Sequence, residues 1–190
     1  VQMDSHLIAR SRSVDNSFLC IYVKLMSGFE IERKFLVRKN SNWKAMAKSS
    51  TRIKQGYFAA ENTVRIRIRD NRGYLTIKGP STNGGLTRYE FEKEISLDEA
   101  ENLLKLCQGS IIDKRRYLID SDTHTIEVDE FYGDNEGLVL AEIELSSETE
   151  SFSHPAFLGP EVTGKKNFYN SQMRFFPFKL WRAQLSREYW

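Results

Sequence analysis

Between residues 29 and 145 the chain repeats one pattern: short runs in which charged residues take every second position and Ile, Val, Leu, Phe or Tyr take many of those between. A β-strand sends successive side chains to opposite faces, so each run collects its charges on one face. The strictest case is Thr63-Val64-Arg65-Ile66-Arg67-Ile68-Arg69. Asp70-Asn71-Arg72-Gly73 supplies turn chemistry after it, and 74–78 returns as the second strand of a hairpin. The opening run, Phe29-Glu30-Ile31-Glu32-Arg33-Lys34-Phe35-Leu36-Val37, places Glu30, Glu32 and Lys34 on one face, with Ile31 and Leu36 expected on or near the other. Further strands are expected at 51–58, 87–95, 111–119, 123–132 and 138–145, which makes eight. Gly56 interrupts the second, as a bulge or a close approach.

Helical signals are few. Asn40 or Ser41 is expected to cap a short helix over 43–48. Ser96-Leu97-Asp98-Glu99 reads as a capping box, and Leu97, Ala100, Leu103, Leu104 and Cys107 form the apolar stripe of the helix it opens, with Gly109 as the stop. Two terminal helices are expected over 165–173 and 179–188. The loop 79–85 is rich in Gly and polar residues but lacks the spacing of a P-loop, so it reads as a connection.

The chain has 190 residues, enough for one substantial domain. Its 28 Lys and Arg stand against 26 Asp and Glu, so no global field attracts polyanions and any functional charge is local. Cys20 and Cys107 are too few for a disulfide framework and lack metal-ligand spacing, which fits a reducing, cytoplasmic setting. His6, His124 and His154 are scattered. No apolar run reaches the roughly 18–20 residues of a membrane helix. Residues 1–26 are expected to be an N-terminal extension, an expression remnant or a disordered stretch, and 27–190 a single domain.

A solvated sheet face usually mixes in Ser, Thr, Gln and Asn, whereas here like charges crowd together. Arg65 and Arg67, or Lys114 and Arg116, repel unless an anion sits between them, and a polyphosphate would serve through charge-assisted hydrogen bonds. Glu30 and Glu32, or Glu142 and Glu144, call for a hard divalent cation with oxygen ligands. Mg2+ or Mn2+ bridging carboxylates to phosphates satisfies both sets. Eight strands can close into a barrel with room for one small ligand. Paired carboxylates also resist joint ionisation, which predicts at least one raised carboxyl pKa before metal binds.

With those residues in view, Glu30-x-Glu32-x-Lys34 resembles the ExExK motif of the CYTH superfamily, the triphosphate tunnel metalloenzymes. IKQGYF (53–58), VRIR (64–67), LTIKG (75–79), RYEFEKEI (88–95), DKRRY (113–117), IEVDEF (126–131), LAEIEL (140–145) and EVTGKKNFYN (161–170) are similar to the family's successive blocks, in order. The resemblance implies an α+β protein: an eight-stranded antiparallel β-barrel, the tunnel, with helices packed outside. By that similarity Lys34, Arg65, Arg67, Lys78, Arg88, Lys114 and Arg116 would hold the phosphates, with Lys54 a further basic position. Glu30, Glu32, Glu142 and Glu144 would carry Mg2+ or Mn2+. Glu90, Glu92, Glu127 and Asp129 would complete the acidic set, one of them orienting or deprotonating the attacking water.

The activity implied is metal-dependent hydrolysis of a triphosphate, foremost inorganic tripolyphosphate to pyrophosphate and phosphate. Class IV adenylate cyclase, thiamine triphosphatase and a non-catalytic polyphosphate or nucleotide binder are the alternatives. The HF-containing opening motif of the cyclases is absent, since Gly28-Phe29 precedes Glu30. The expected partner is a small-molecule triphosphate, with neither nucleic acid nor membrane, and a homodimer is the assembly to look for.

Overall fold

The computed structural model describes residues 29–80, 82 and 87–190; for Phe29 and Glu30 it describes the backbone alone. Nine strands follow one another as β1 (Phe29–Val37), β2 (Ser49–Tyr57), β3 (Thr63–Arg69), β4 (Arg72–Lys78), β5 (Thr87–Ile95), β6 (Ile112–Ser121), β7 (His124–Phe131), β8 (Val139–Glu144) and β9 (Leu158–Glu161). Neighbours run in the order β5-β4-β3-β2-β6-β7-β8-β1-β9, every pair antiparallel, and an additional β5–β1 pairing closes the first eight into a barrel. Closure depends on β1 changing partner along its length. Phe29 to Ile31 pair with Tyr89 to Thr87 of β5, Glu32 to Leu36 pair with Glu144 to Leu140 of β8, and β9 meets β1 at Phe35 and Val37.

Alternation explains which face each side chain takes, and burial shows two separate apolar clusters. Phe35, Val37, Ile126, Val128, Ala141 and Ile143 lie on the outer face, covered by Trp43, Phe157 and Leu158. The second cluster fills one end of the barrel interior. Leu36, Ile112, Phe131 and Leu140 continue the inward rows of Lys34, Lys114, Asp129 and Glu142, and they pack with Phe168, Met173, Phe178, Trp181 and Tyr189 of the C-terminal segment. Each such side chain withdrawn from water is worth about 1.5–3 kcal/mol. The interior is therefore charged along most of its length and sealed by apolar packing at one end. Leu36 sits on the Lys34 face, two residues on, and not on the opposite face.

Helix α1 (Leu97–Leu104) starts as expected: Ser96 Oγ accepts from the Glu99 amide, and Glu99 Oε2 accepts from the Ser96 amide at 2.8 Å. Its buried Ala100 lies against the outer face of β4, so close that a Cβ at Gly73 would stand 2.5 Å from the Ala100 Cβ. Gly56 likewise marks a close approach, to Cys107 and Ile111, and not a bulge, since β2 keeps its register with β3 across it.

Elsewhere the helical expectations fail. Over 43–48 there is only a 3-10 turn, Trp43–Met46, with Asn42 before it and no side-chain cap. The two terminal helices are instead 3-10 turns at Lys166–Phe168, Phe178–Leu180, Arg182–Gln184 and Arg187–Tyr189, with one short helix, α2 (Asn170–Met173). Three of the 3-10 turns carry a buried aromatic, Phe168, Phe178 and Tyr189, and α2 carries the buried Met173. β9 was not expected, because four residues containing Gly and Pro carry no alternation to read. The expected extension at 1–26 lies outside the described residues, as does most of the 79–85 loop.

Candidate active site

Register carries the charged rows around the barrel. Arg65 of β3 pairs with Thr76 of β4, which pairs with Glu92 of β5; Lys78 pairs with Glu90. On the far wall Lys34 of β1 pairs with Glu142 of β8, which pairs with Glu127 of β7, while Glu32 pairs with Glu144 and Arg116 of β6 with Asp129. Strands more than a hundred residues apart thus bring their inward charges to one cavity of about 220 Å3. It is lined by Glu32, Lys34, Arg65, Arg67, Lys78, Arg88, Glu90, Glu92, Lys114, Arg116, Glu127, Glu142 and Glu144.

Three of the expected residues stand apart. Lys54 is exposed on the outer face of β2, between Ile68 and Asp113, so its placement in the tunnel is corrected. In β2 the charged residues point out and Ile53, Gln55 and Tyr57 form the inward row, so charge no longer tells which face is which. Asp129 is buried behind Lys114 and Arg116 and does not line the cavity. The Glu30 side chain lies outside the described residues; its backbone pairs with Arg88.

Tyr57, Thr63, Arg69, Tyr169, Asn170 and Ser171 also line the cavity and were not singled out from the sequence. Arg69 follows the parity of Arg65 and Arg67 and was legible. Tyr169 to Ser171 come from the C-terminal segment, where no strand period points to them.

The cations and carboxylates interlock. Lys34 bonds Glu142, and Arg88 donates to Glu32 at 2.9 Å. Lys78 Nζ is 2.7 Å from Glu90. Arg116 reaches Asp129 through Nε and Nη2 at 2.7 and 2.6 Å, Glu142 at 2.8 Å, and also Glu127. Burial opposes the charges of Lys34, Lys114, Asp129 and Glu142, and the balance against their partners differs from one to the next. Glu142 and Glu32 override burial at Lys34 and leave its pKa above the ordinary value. Lys34 and Arg116 do the same for Glu142, holding it well below the carboxylate range, and Arg116 and Lys114 lower Asp129. At Lys114 burial wins, and its pKa falls to about 8. At Glu142 and Asp129 the rise expected of paired carboxylates is reversed: both move down, because cations stand beside them.

Carboxylate oxygens suit a hard divalent ion, and Glu32 and Glu144 face each other directly across β1 and β8. Among the described residues no three Asp, Glu, His or Cys side chains group closely enough to hold a metal by themselves. Among the described residues no helix is long and apolar enough to cross a membrane.

A family model described as CYTH domain matches residues 28–172. The chain belongs to the CYTH domain family. As a CYTH domain it is 44% identical over 155 residues to an inorganic triphosphatase of Acetivibrio thermocellus, a match spanning 80% of this chain and 97% of the relative. It is 32% identical over 150 residues to an inorganic triphosphatase of Nitrosomonas europaea, spanning 76% and 95%. Its fold is similar to the crystal structure of the inorganic triphosphatase NE1496, with a TM-score of 0.56 and 28% identity over 76% of this chain and 93% of that one. Phe178, Trp181 and Tyr189, which seal the barrel end, lie beyond the stretch that the family model matches.

Proposed function

We propose that this CYTH domain is an inorganic triphosphatase that hydrolyses tripolyphosphate to pyrophosphate and phosphate with the help of a divalent metal. The observation that carries the reading is the convergence of Lys34, Arg65, Arg67, Lys78, Arg88, Lys114 and Arg116 on one cavity inside a closed barrel. So many fixed cations at close quarters suit a ligand with several negative charges. The similarity to two inorganic triphosphatases over nearly their whole length supports the choice of substrate.

In this reading Arg65, Arg67 and Lys78 on one wall, with Lys34, Lys114 and Arg116 on the other, hold the phosphate chain in line and neutralise charge on the leaving pyrophosphate. Glu32, Glu142 and Glu144, with Glu30 by its place in the motif, would hold Mg2+ or Mn2+. The ion would supply Lewis-acid polarisation of the phosphoryl oxygens. Asp129 keeps Lys114 and Arg116 in place from behind. Glu90 and Glu127 remain as lining carboxylates able to face an attacking water.

The test is release of phosphate and pyrophosphate from tripolyphosphate, ATP and thiamine triphosphate in parallel, with Mg2+, Mn2+ or EDTA, and with cyclic AMP assayed in the ATP sample. Rapid metal-dependent cleavage of tripolyphosphate and slow turnover of ATP is the expected result. Cyclic AMP from ATP, or no cleavage of any substrate, would overturn it.

A further inference from the structure

Three donors converge on a single oxygen of Glu92. Arg67 Nη2 reaches Oε2 at 2.8 Å, Thr76 Oγ1 at 2.8 Å and Arg65 Nη2 at 3.2 Å. Two guanidinium groups and a hydroxyl around one anionic oxygen make the kind of cradle a phosphoryl oxygen takes. Glu92 is the carboxylate that both arginines reach at hydrogen-bond distance, with Glu90 farther off, 3.9 Å from Arg65 Nη2. The Nε atoms of Arg65 and Arg67 are buried and have no hydrogen-bond partner among the described residues. Burial, and then the charge of Arg65, pull the pKa of Arg67 down to about 10, as expected of a cation pressed against another.

Asp129 and Glu92 are each held by two cations but differ in exposure: the Asp129 side chain is 1% exposed and the Glu92 side chain 31%. Glu92 has room to leave its partners without being stranded away from water.

We propose that Glu92 is a displaceable stand-in for the substrate: in the empty tunnel its Oε2 occupies the position of a phosphoryl oxygen on Arg65, Arg67 and Thr76, and an arriving phosphate takes that position from it. The inference rests on the triphosphate reading of the site. Glu92 is then a positioning residue. It keeps the two arginines ordered before binding, weakens ground-state affinity by competing for them, and hastens release of pyrophosphate by returning.

The experiment measures binding of tripolyphosphate and of pyrophosphate by calorimetry in EDTA, where turnover does not enter, for the full chain and for Glu92→Gln and Glu92→Ala. Gln keeps the shape and an acceptor oxygen, and Ala removes the competitor altogether, so the pair guards against one variant folding poorly. Both variants should bind at least tenfold more tightly than the unaltered chain, and the inhibition constant of pyrophosphate in the metal-loaded assay should fall in step. Equal or weaker binding overturns the proposal. So does unchanged affinity in EDTA with lost turnover, which would make Glu92 a metal-holding or water-activating residue. If the unaltered chain neither binds tripolyphosphate in EDTA nor cleaves it with Mg2+, the triphosphate reading itself fails; if it does either and the variants are no tighter in binding or in inhibition by pyrophosphate, only the role of Glu92 falls.

Discussion

Replacing Asp129 by Asn should unfold the tunnel more readily than any other single change among its carboxylates. Asp129 takes the Lys114 ammonium at 2.5 Å and two Arg116 nitrogens at 2.7 and 2.6 Å, from a side chain that is 1% exposed. Arg116 retains Glu127 and Glu142, but Lys114, itself 2% exposed, has no other ion pair among the described residues. Asn leaves that ammonium buried beside a guanidinium, and breaking a buried pair from one side costs about 3–5 kcal/mol. At roughly 2–4 °C per kcal/mol for a chain of this size, Tm should fall by roughly 6–20 °C. The assay is thermal and urea unfolding at pH 7 in EDTA, read by circular dichroism. Two further results follow from the same reasoning. Tripolyphosphate should raise Tm more in Asp129→Asn than in the unaltered chain, because an anion replaces the missing counter-charge and stabilises through binding. Adding Lys114→Met to the variant should recover most of the loss, since a buried pair replaced on both sides is often close to neutral. A Tm within about 2 °C of the original, or no extra protection by tripolyphosphate, would refute the claim that Asp129 acts by holding Lys114.

Glu144→Gln should abolish metal-dependent cleavage of tripolyphosphate, because the amide removes one of the two carboxylate charges that face each other across β1 and β8; phosphate release measured over a range of Mg2+ concentrations checks it. Lys114 titrates near pH 8 in the fold against about 10.4 for a free lysine, so between those values the unfolded chain binds more protons and stability rises with pH. The penalty, about 3 kcal/mol, is fully present below pH 8 and fades as pH rises to about 10.4. The stability difference between the unaltered chain and Lys114→Met, followed by urea unfolding from pH 7 to 10.5, should show that rise. Lys54→Ala should leave KM for tripolyphosphate within about twofold, while Arg67→Ala should raise it by a factor on the order of ten or more, the loss expected when a charged hydrogen bond to the ligand goes.

Within single strands, the chemistry of the site is legible in the amino-acid order alone. In β3 the period of two puts Arg65 and Arg67 on one face whatever the strand pairs with, and in β8 it does the same for Glu142 and Glu144. The capping box at Ser96 and the turn at Asp70 are local as well, and both are found, Asp70 with a φ of 53°. Where charge and face part company the reading fails. Lys54 belongs to the one strand whose inward row is Ile53, Gln55 and Tyr57, and nothing within six residues reveals that.

What the sequence determined by itself is the content of the tunnel: the alternating rows, the sign of each charge, and the turns that join adjacent strands. Only the tertiary structure decided which rows face each other. The pairing of Lys34 with Glu142 and the closure of β1 on β5 join residues 108 and 58 positions apart, and the first forms because it buries Phe35, Ile143 and Ile126 together, not because either segment prefers the other locally. Tertiary structure also ended the tunnel. The aromatics at 168–190 carry a helical look in the sequence, yet they break into short turns because burying Phe178, Trp181 and Tyr189 against the barrel end outweighs the fraction of a kcal/mol per residue that helix propensity offers.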